Sequence, residues 1–239
     1  MDDEKNIHLG HRKRTKDSVL NHGLDGRNDH QVLEVLLFYA IPNGDTNPVA
    51  HRLVNRFGSL RGVLEADYDE LRTVKGIGDN AASLIKFVQM FSGRYLCASS
   101  FEEDSMHFTD TNSLRRYFEG AFLGVRNEQT RAMLLDDNLC FIKEQLITEG
   151  TIGKVEVNTR KFTDFIIKNN CNRVVIAHNH PNGLAIPSKE DIATTAELIK
   201  IFDKLEISLV DHIIVGRTGS YSLRASEHSH ALWGNVNRR

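Results

Sequence analysis

Two histidines, a serine and an aspartate fall within the stretch AHNHPNGLAIPSKED, residues 177–191. Imidazole nitrogen and carboxylate oxygen are ordinary ligands of zinc, and a catalytic zinc takes three protein ligands and keeps one position for water. His178, His180 and Asp191 supply that count. Such a site activates water for attack on a carbonyl. The same residues also fit a plainer strand-loop-helix junction. In that reading Ser188 is a helix N-cap, Asp191 an acid in the first turn, and the histidines are solvated loop residues.

Either reading requires the same elements. Arg173 to His178 is apolar and β-branched and reads as a strand. Residues i and i+2 of a strand share a side, so His178 and His180 can face one point. Pro181, Asn182-Gly183 and Pro187 are turn formers that can fold the chain back. A long helix over Ser188 to Leu205 then carries Asp191. Around this junction the sequence predicts strands at Arg131 to Leu135, Cys140 to Ile147, Ile207 to Val215 and Tyr221 to Leu223. A further helix is expected at Thr159 to Lys168. Hairpins mixed with helices give an α+β or mixed three-layer domain.

The first half reads differently. Residues 1–30 are polar and His-rich and are expected to be an irregular arm, with a basic cluster at His11 to Lys16. From Val32 the spacing becomes helical, with Val32, Val35, Leu36 and Tyr39 on the expected buried face and a stop at Pro42. Asn47-Pro48 reads as an N-cap and first helical residue, and Gly58 as the stop. Short helices follow at Leu60 to Ala66 and Tyr68 to Val74. Another begins after Lys75-Gly76-Ile77-Gly78, carrying Ala81, Leu84, Ile85 and Val88. The polar stretch 97–110 marks a boundary, giving domains 1–100 and 101–239.

A net charge of −2 over 239 residues excludes a wholesale polyanion binder but leaves local basic patches. Three widely spaced cysteines, Cys97, Cys140 and Cys171, suggest neither a disulfide framework nor a thiolate zinc knuckle. No apolar signal segment opens the chain, and no run approaches the ~20 residues of a membrane span. The expected compartment is the cytoplasm, with no membrane partner.

His-x-His, seven residues, Ser, two residues, Asp is the pattern of JAMM (MPN-type) metalloproteases, and His178, His180, Ser188 and Asp191 match every spacing. The flanks, His178-Asn179-His180-Pro181, Pro187-Ser188 and Asp211-His212-Ile213-Ile214-Val215-Gly216, resemble the bacterial RadC proteins. Those proteins also carry an N-terminal helix-hairpin-helix region, which Lys75 to Ala81 resembles. The resemblance implies an α+β chain: a small helical domain followed by a mixed α/β MPN (JAB-like) domain. It implies one Zn²⁺ per chain on His178, His180 and Asp191, with Ser188 steadying an oxyanion. It also implies an upstream glutamate that takes a proton from the attacking water. Glu128, just before the first strand, fits that place, and Glu149 is its rival.

The departures are few. Thr159-Arg160-Lys161 stands where RadC relatives typically have Pro-Arg-Glu, and Asn182 where they have serine. Asp211-His212 reads equally as an outer layer behind a ligand histidine or as a packed strand start.

The leading expectation is a zinc-dependent peptidase or isopeptidase acting on a peptide or protein. The alternative is a DNA-binding repair protein, contacting a DNA backbone through Gly76, Ile77 and Gly78. A zinc nuclease is a third reading, and the single-zinc ligand set weighs against it.

Overall fold

The structure, a computed structural model, describes residues 2–100, 107–150, 159–227 and 229–234. Where an irregular arm is expected, the chain instead forms helix α1 (Asp2–His22). It lacks an apolar stripe, so polar bonds hold it. Arg12 donates to the carbonyls of Ile41, Pro42 and Gly44, in the turn that follows the next helix. His11 Nε2 lies 3.0 Å from a Glu34 carboxylate oxygen.

Helix α2 (Asp29–Ala40) buries Leu33, Glu34, Val35, Leu37 and Phe38 and packs Leu36 against the same core, so the buried face keeps Val35 and Leu36 of the expected one but is centred elsewhere. Tyr39 is 66% exposed. The expected single stripe is displaced because α1 supplies a second contact: His11 meets the Phe38 ring edge-on and Arg12 lies over it. Helix α3 (Asn47–Phe57) has Thr46 rather than Asn47 at its N-cap position, with no side-chain capping bond, and Gly58 ends it. The Asn47 side chain is occupied elsewhere, donating to Glu34 Oε2 at 2.9 Å. Helices α4 (Leu60–Glu65), α5 (Tyr68–Arg72) and α6 (Asp79–Ala98) follow as expected. Leu33, Leu37, Leu53, Leu71 and Ile85 make a solvent-free core.

The chain divides into two compact units, Met1–Phe91 and Ser92–Arg239. The polar shift near residue 100 marks the end of α6, whereas the packing changes earlier. Cys97, in the last turns of α6, already packs with the core of the second unit and bonds the Tyr117 carbonyl.

The second unit also holds helix α7 (Thr111–Ala121), an element absent from the sequence-based expectation. Asp110 caps it, accepting from Ser113 N at 2.7 Å, and Leu114, Tyr117 and Phe118 form its buried stripe. Then come β1 (Gln129–Leu135), β2 (Phe141–Glu149), α8 (Thr159–Lys168), β3 (Arg173–Asn179), α9 (Lys189–Lys204), β4 (Ser208–Gly216) and β5 (Gly219–Ser222). They build one sheet in the order β2-β1-β3-β4-β5. Only β3 and β4 pair in parallel. A parallel pair needs a crossover, which α9 provides.

Alternation divides the sheet's faces. Ala132, Leu134, Val174 and Ile176 meet Phe162, Phe165 and Phe202 of α8 and α9. Met133, Leu135, Val175 and Ala177 meet Phe118 of α7 with Phe108 and Phe122. Full burial of each such phenylalanine stabilises by about 1.5–3 kcal/mol. The result is a three-layer α+β unit. No described helix is long and apolar enough to cross a membrane.

Candidate metal centre

Strand parity sets the first two side chains. His178 continues the face of Val174 and Ile176. His180 N donates to Val215 O at 2.7 Å, so the strand register persists past the end of β3. The two Nε2 atoms come within 3.0 Å of each other.

Counting donors fixes which nitrogens carry hydrogen. His180 Nδ1 lies 3.0 Å from the Leu184 carbonyl, an acceptor, so it is the protonated nitrogen. His178 is fixed through a longer chain. Thr195 gives its one hydroxyl hydrogen to the Asp191 carbonyl at 2.6 Å. Its oxygen therefore accepts from His212 Nδ1, also at 2.6 Å. Burial pushes the His212 imidazole down to about 3, so the ring is neutral. His212 Nε2 then has only a lone pair, which accepts from His178 Nδ1 at 2.8 Å. Both ligand-type histidines present a bare Nε2 to the same spot.

Two carboxylates adjoin it. Asp191 Oδ1 is 3.3 Å from His178 Nε2, and Oδ2 is 3.7 Å from His180 Nε2. One ligand atom each of Glu128, His178 and His180 lies within 4.8 Å of the others, and this is the group of His, Cys, Asp and Glu able to hold a metal among the described residues. Burial alone would raise the Asp191 carboxyl. Positive charge opposite Oδ1, a proton on His178 Nε2 or an ion in its place, together with two bonds from Ser188 outweighs it and holds the group well below the usual carboxylate range. Acceptors crowded this way repel one another unless a cation lies between them, and two imidazoles with carboxylates are a donor set that suits zinc.

Ser188 serves first as the N-cap of α9. Its backbone N–H and its hydroxyl each donate to Asp191 Oδ2 at 2.7 Å, and its oxygen accepts from Asp191 N at 3.0 Å. The cap and the centre therefore share one serine. Glu128 lines an open cleft of about 460 Å³ with Arg126, Asn127, Gly150, His180 and Asn182. Glu149 is turned away, its Oε1 accepting from Gln129 and Asn127 side chains. The structure brings Glu128, and not Glu149, to the histidines.

The RadC-like JAB domain family matches residues 108–229, a span that holds all five strands and the whole centre. This chain belongs to the RadC family. The UPF0758 protein FN0909 of Fusobacterium nucleatum subsp. nucleatum is 28% identical over 218 residues, covering 89% of this chain and 94% of its own. That likeness is too long to lie within the second unit alone, so it extends into the helices.

Within this RadC domain the pair Asp211-His212 splits between the two readings. His212 stands behind His178, whereas Asp211 is structural. Its Oδ1 accepts from the His212 and Arg224 amides and its Oδ2 from Ser222, and burial raises its carboxyl. Lys161 donates to the Ile147 carbonyl at 3.3 Å and is not among the residues lining the cleft. Thr195 was not singled out in the sequence, although it lies one helical turn beyond Asp191.

Proposed function

We propose that this RadC-family chain is a zinc-dependent hydrolase that cleaves an amide bond in a peptide or protein. The observation that carries the reading is the meeting of two bare imidazole nitrogens with the Asp191 carboxylate beside Glu128. His178, His180 and Asp191 hold the ion, one per chain. Zinc, when bound, polarises a carbonyl and lowers the pKa of a coordinated water to about 7.

The chain's own residues do the rest. Glu128 receives the proton of the attacking water and passes it to the leaving nitrogen. Ser188 orients Asp191 in the resting site, and its hydroxyl turns to the oxyanion as charge develops on the substrate. The cleft between Arg126 and Asn182 leaves Glu128 open to substrate.

The test begins with metal content by elemental mass spectrometry for wild type, His180→Ala and Asp191→Ala, each shown folded by circular dichroism. One zinc in wild type and none in the variants is expected. Peptide hydrolysis by wild type should then disappear in Glu128→Gln. A wild type that takes up no zinc on reconstitution would sink the proposal.

The helical unit supports a second reading, contact with a DNA backbone. Gly76 has φ +98°, and a Cβ there would meet Val49 Cγ2 at 2.8 Å, so this turn requires glycine. It leads into the amide-rich start of α6. Asp79, which by itself would repel phosphate, is paired with Arg72 at 2.6 Å. Binding to single-stranded or branched DNA that weakens with salt is expected. No binding at low ionic strength removes this reading.

A further inference from the structure

Asn179 separates the two histidines in sequence, but alternation sends its side chain to the opposite face of β3. It is 3% exposed there, and its carboxamide is fully engaged. Oδ1 accepts from Gln129 N at 2.7 Å. Nδ2 donates to the Asn127 carbonyl at 3.1 Å and to the Val125 carbonyl at 3.4 Å. The partners settle the amide's orientation, because a flipped group would set donor against donor. They also bracket one residue: the Asn127 carbonyl precedes Glu128, and the Gln129 amide follows it.

The location explains why a side chain is needed. The ladder between β1 and β3 begins at Thr130 opposite His178. Backbone pairing to β3 therefore stops short of Glu128. From the other side, β2 ends with Gly150 N donating to Glu128 O at 2.9 Å. The Asn179 carboxamide serves as an extra rung that extends the β3 side past Gln129.

We propose that Asn179 is the positioning residue for Glu128. It ties the glutamate to the same three consecutive residues that carry His178 and His180. Base and ligands then share one strand as reference, and a shift of β3 moves them together. No other common side chain fits. Aspartate keeps the acceptor but sets a charge against two carbonyls, and glutamine is a methylene too long. Alanine leaves the Gln129 donor and both carbonyls without partners in a buried place. The inference rests on the reading of Glu128 as proton carrier at a metal centre.

Two measurements separate the inference from that reading. The first is amide exchange by NMR on the metal-free protein. In wild type the Gln129 amide should be protected. In Asn179→Ala it should exchange at least about tenfold faster, the factor for one lost hydrogen bond, with Val175 and Ile213 unchanged. If that variant does not fold, wild type still decides: a Gln129 amide that exchanges like an exposed loop overturns the inference.

The second uses cobalt(II) as the probe ion, following the pH midpoint of its visible spectrum in wild type, Glu128→Gln and Asn179→Ala. All three should bind one cobalt, and Asn179→Ala should shift the midpoint in the same direction as Glu128→Gln. A midpoint that stays at the wild-type value in Asn179→Ala while Glu128→Gln moves it overturns the inference. A wild type that binds no cobalt defeats the metal reading instead, and the exchange data still report whether the rung exists.

Discussion

Each unit buries polar side chains, but the two clusters differ in what they leave over. In the helical unit the Glu34 carboxylate is 4% exposed. Its two oxygens are taken by His11 at 3.0 Å and Asn47 at 2.9 Å. Donors match acceptors, and the cluster ties α1 and α3 to α2. In the RadC domain the bonds behind the histidines also match, from the Asp191 carbonyl through Thr195 and His212 to His178. In front of them two bare nitrogens and Asp191 Oδ1 turn lone pairs toward one point. A closed cluster is a strut. A surplus of acceptors at one point is a place for a cation.

The sharpest way to break this contrast is to remove a carboxylate from each cluster. Asp191→Ala should weaken zinc binding by more than about 100-fold, beyond the range seen for residues behind a ligand, read by competition with a chromophoric chelator. Glu34→Ala should leave zinc binding unchanged and lower stability to urea by about 1 kcal/mol, because it removes the acceptor shared by His11 and the half-buried Asn47 amide. If Glu34→Ala lost zinc, or Asp191→Ala kept it, the two clusters would not differ in kind.

Thr195→Val refines the comparison within the RadC domain. It keeps the volume and removes the hydroxyl that accepts from His212 Nδ1. Zinc affinity should fall about tenfold. Nitrogen-15 shifts should show His178 losing its preference for hydrogen on Nδ1, and an unchanged tautomer would mean that the chain behind His178 does not set it.

The gentlest effect is in pH. The folded-state pKa of His212 lies below its ordinary value because burial disfavours the charged ring. Protons therefore bind the unfolded chain first. This contribution is absent above about pH 6.5 and grows as pH falls from there toward about 3, where the folded ring also charges. Metal-free wild type should lose stability across that window relative to His212→Asn, by at most about 1.4 kcal/mol per pH unit for one proton. Parallel pH curves for the two proteins would contradict a buried neutral ring.

Much of this was legible locally. The strand at Arg173, the helix from Ser188, and the glycine and proline stops are short-range signals. So is the His-x-His pattern, because strand parity alone brings two imidazoles to one side. Helix α1 was not legible because it docks through Arg12 and His11 rather than an apolar stripe. Helix α7 had its signal in Asp110, Leu114 and Phe118, hidden by the polar run before it. Glu128 was placed by resemblance, and no local rule could choose it over Glu149. That choice depends on β1 pairing with β3 at Thr130 and His178. The partners of Thr195 and Asn179 lie on β4 and at the start of β1 and just before it, so their roles appear only when distant segments meet.

The loop between His180 and Ser188 adds a last point. Gly183 accepts from Arg217 N at 2.9 Å, and Gly216 lies so close that a Cβ there would fall 2.2 Å from Ala185 N. The loop that presents the Leu184 carbonyl to His180 is thus seated on β4 when the domain folds. Its conformational entropy is lost at folding and not at ion capture. The centre is set apart from small zinc modules, whose chains order only around their metal. Here the heat capacity of binding should reflect the ligands alone, with no folding step beneath it.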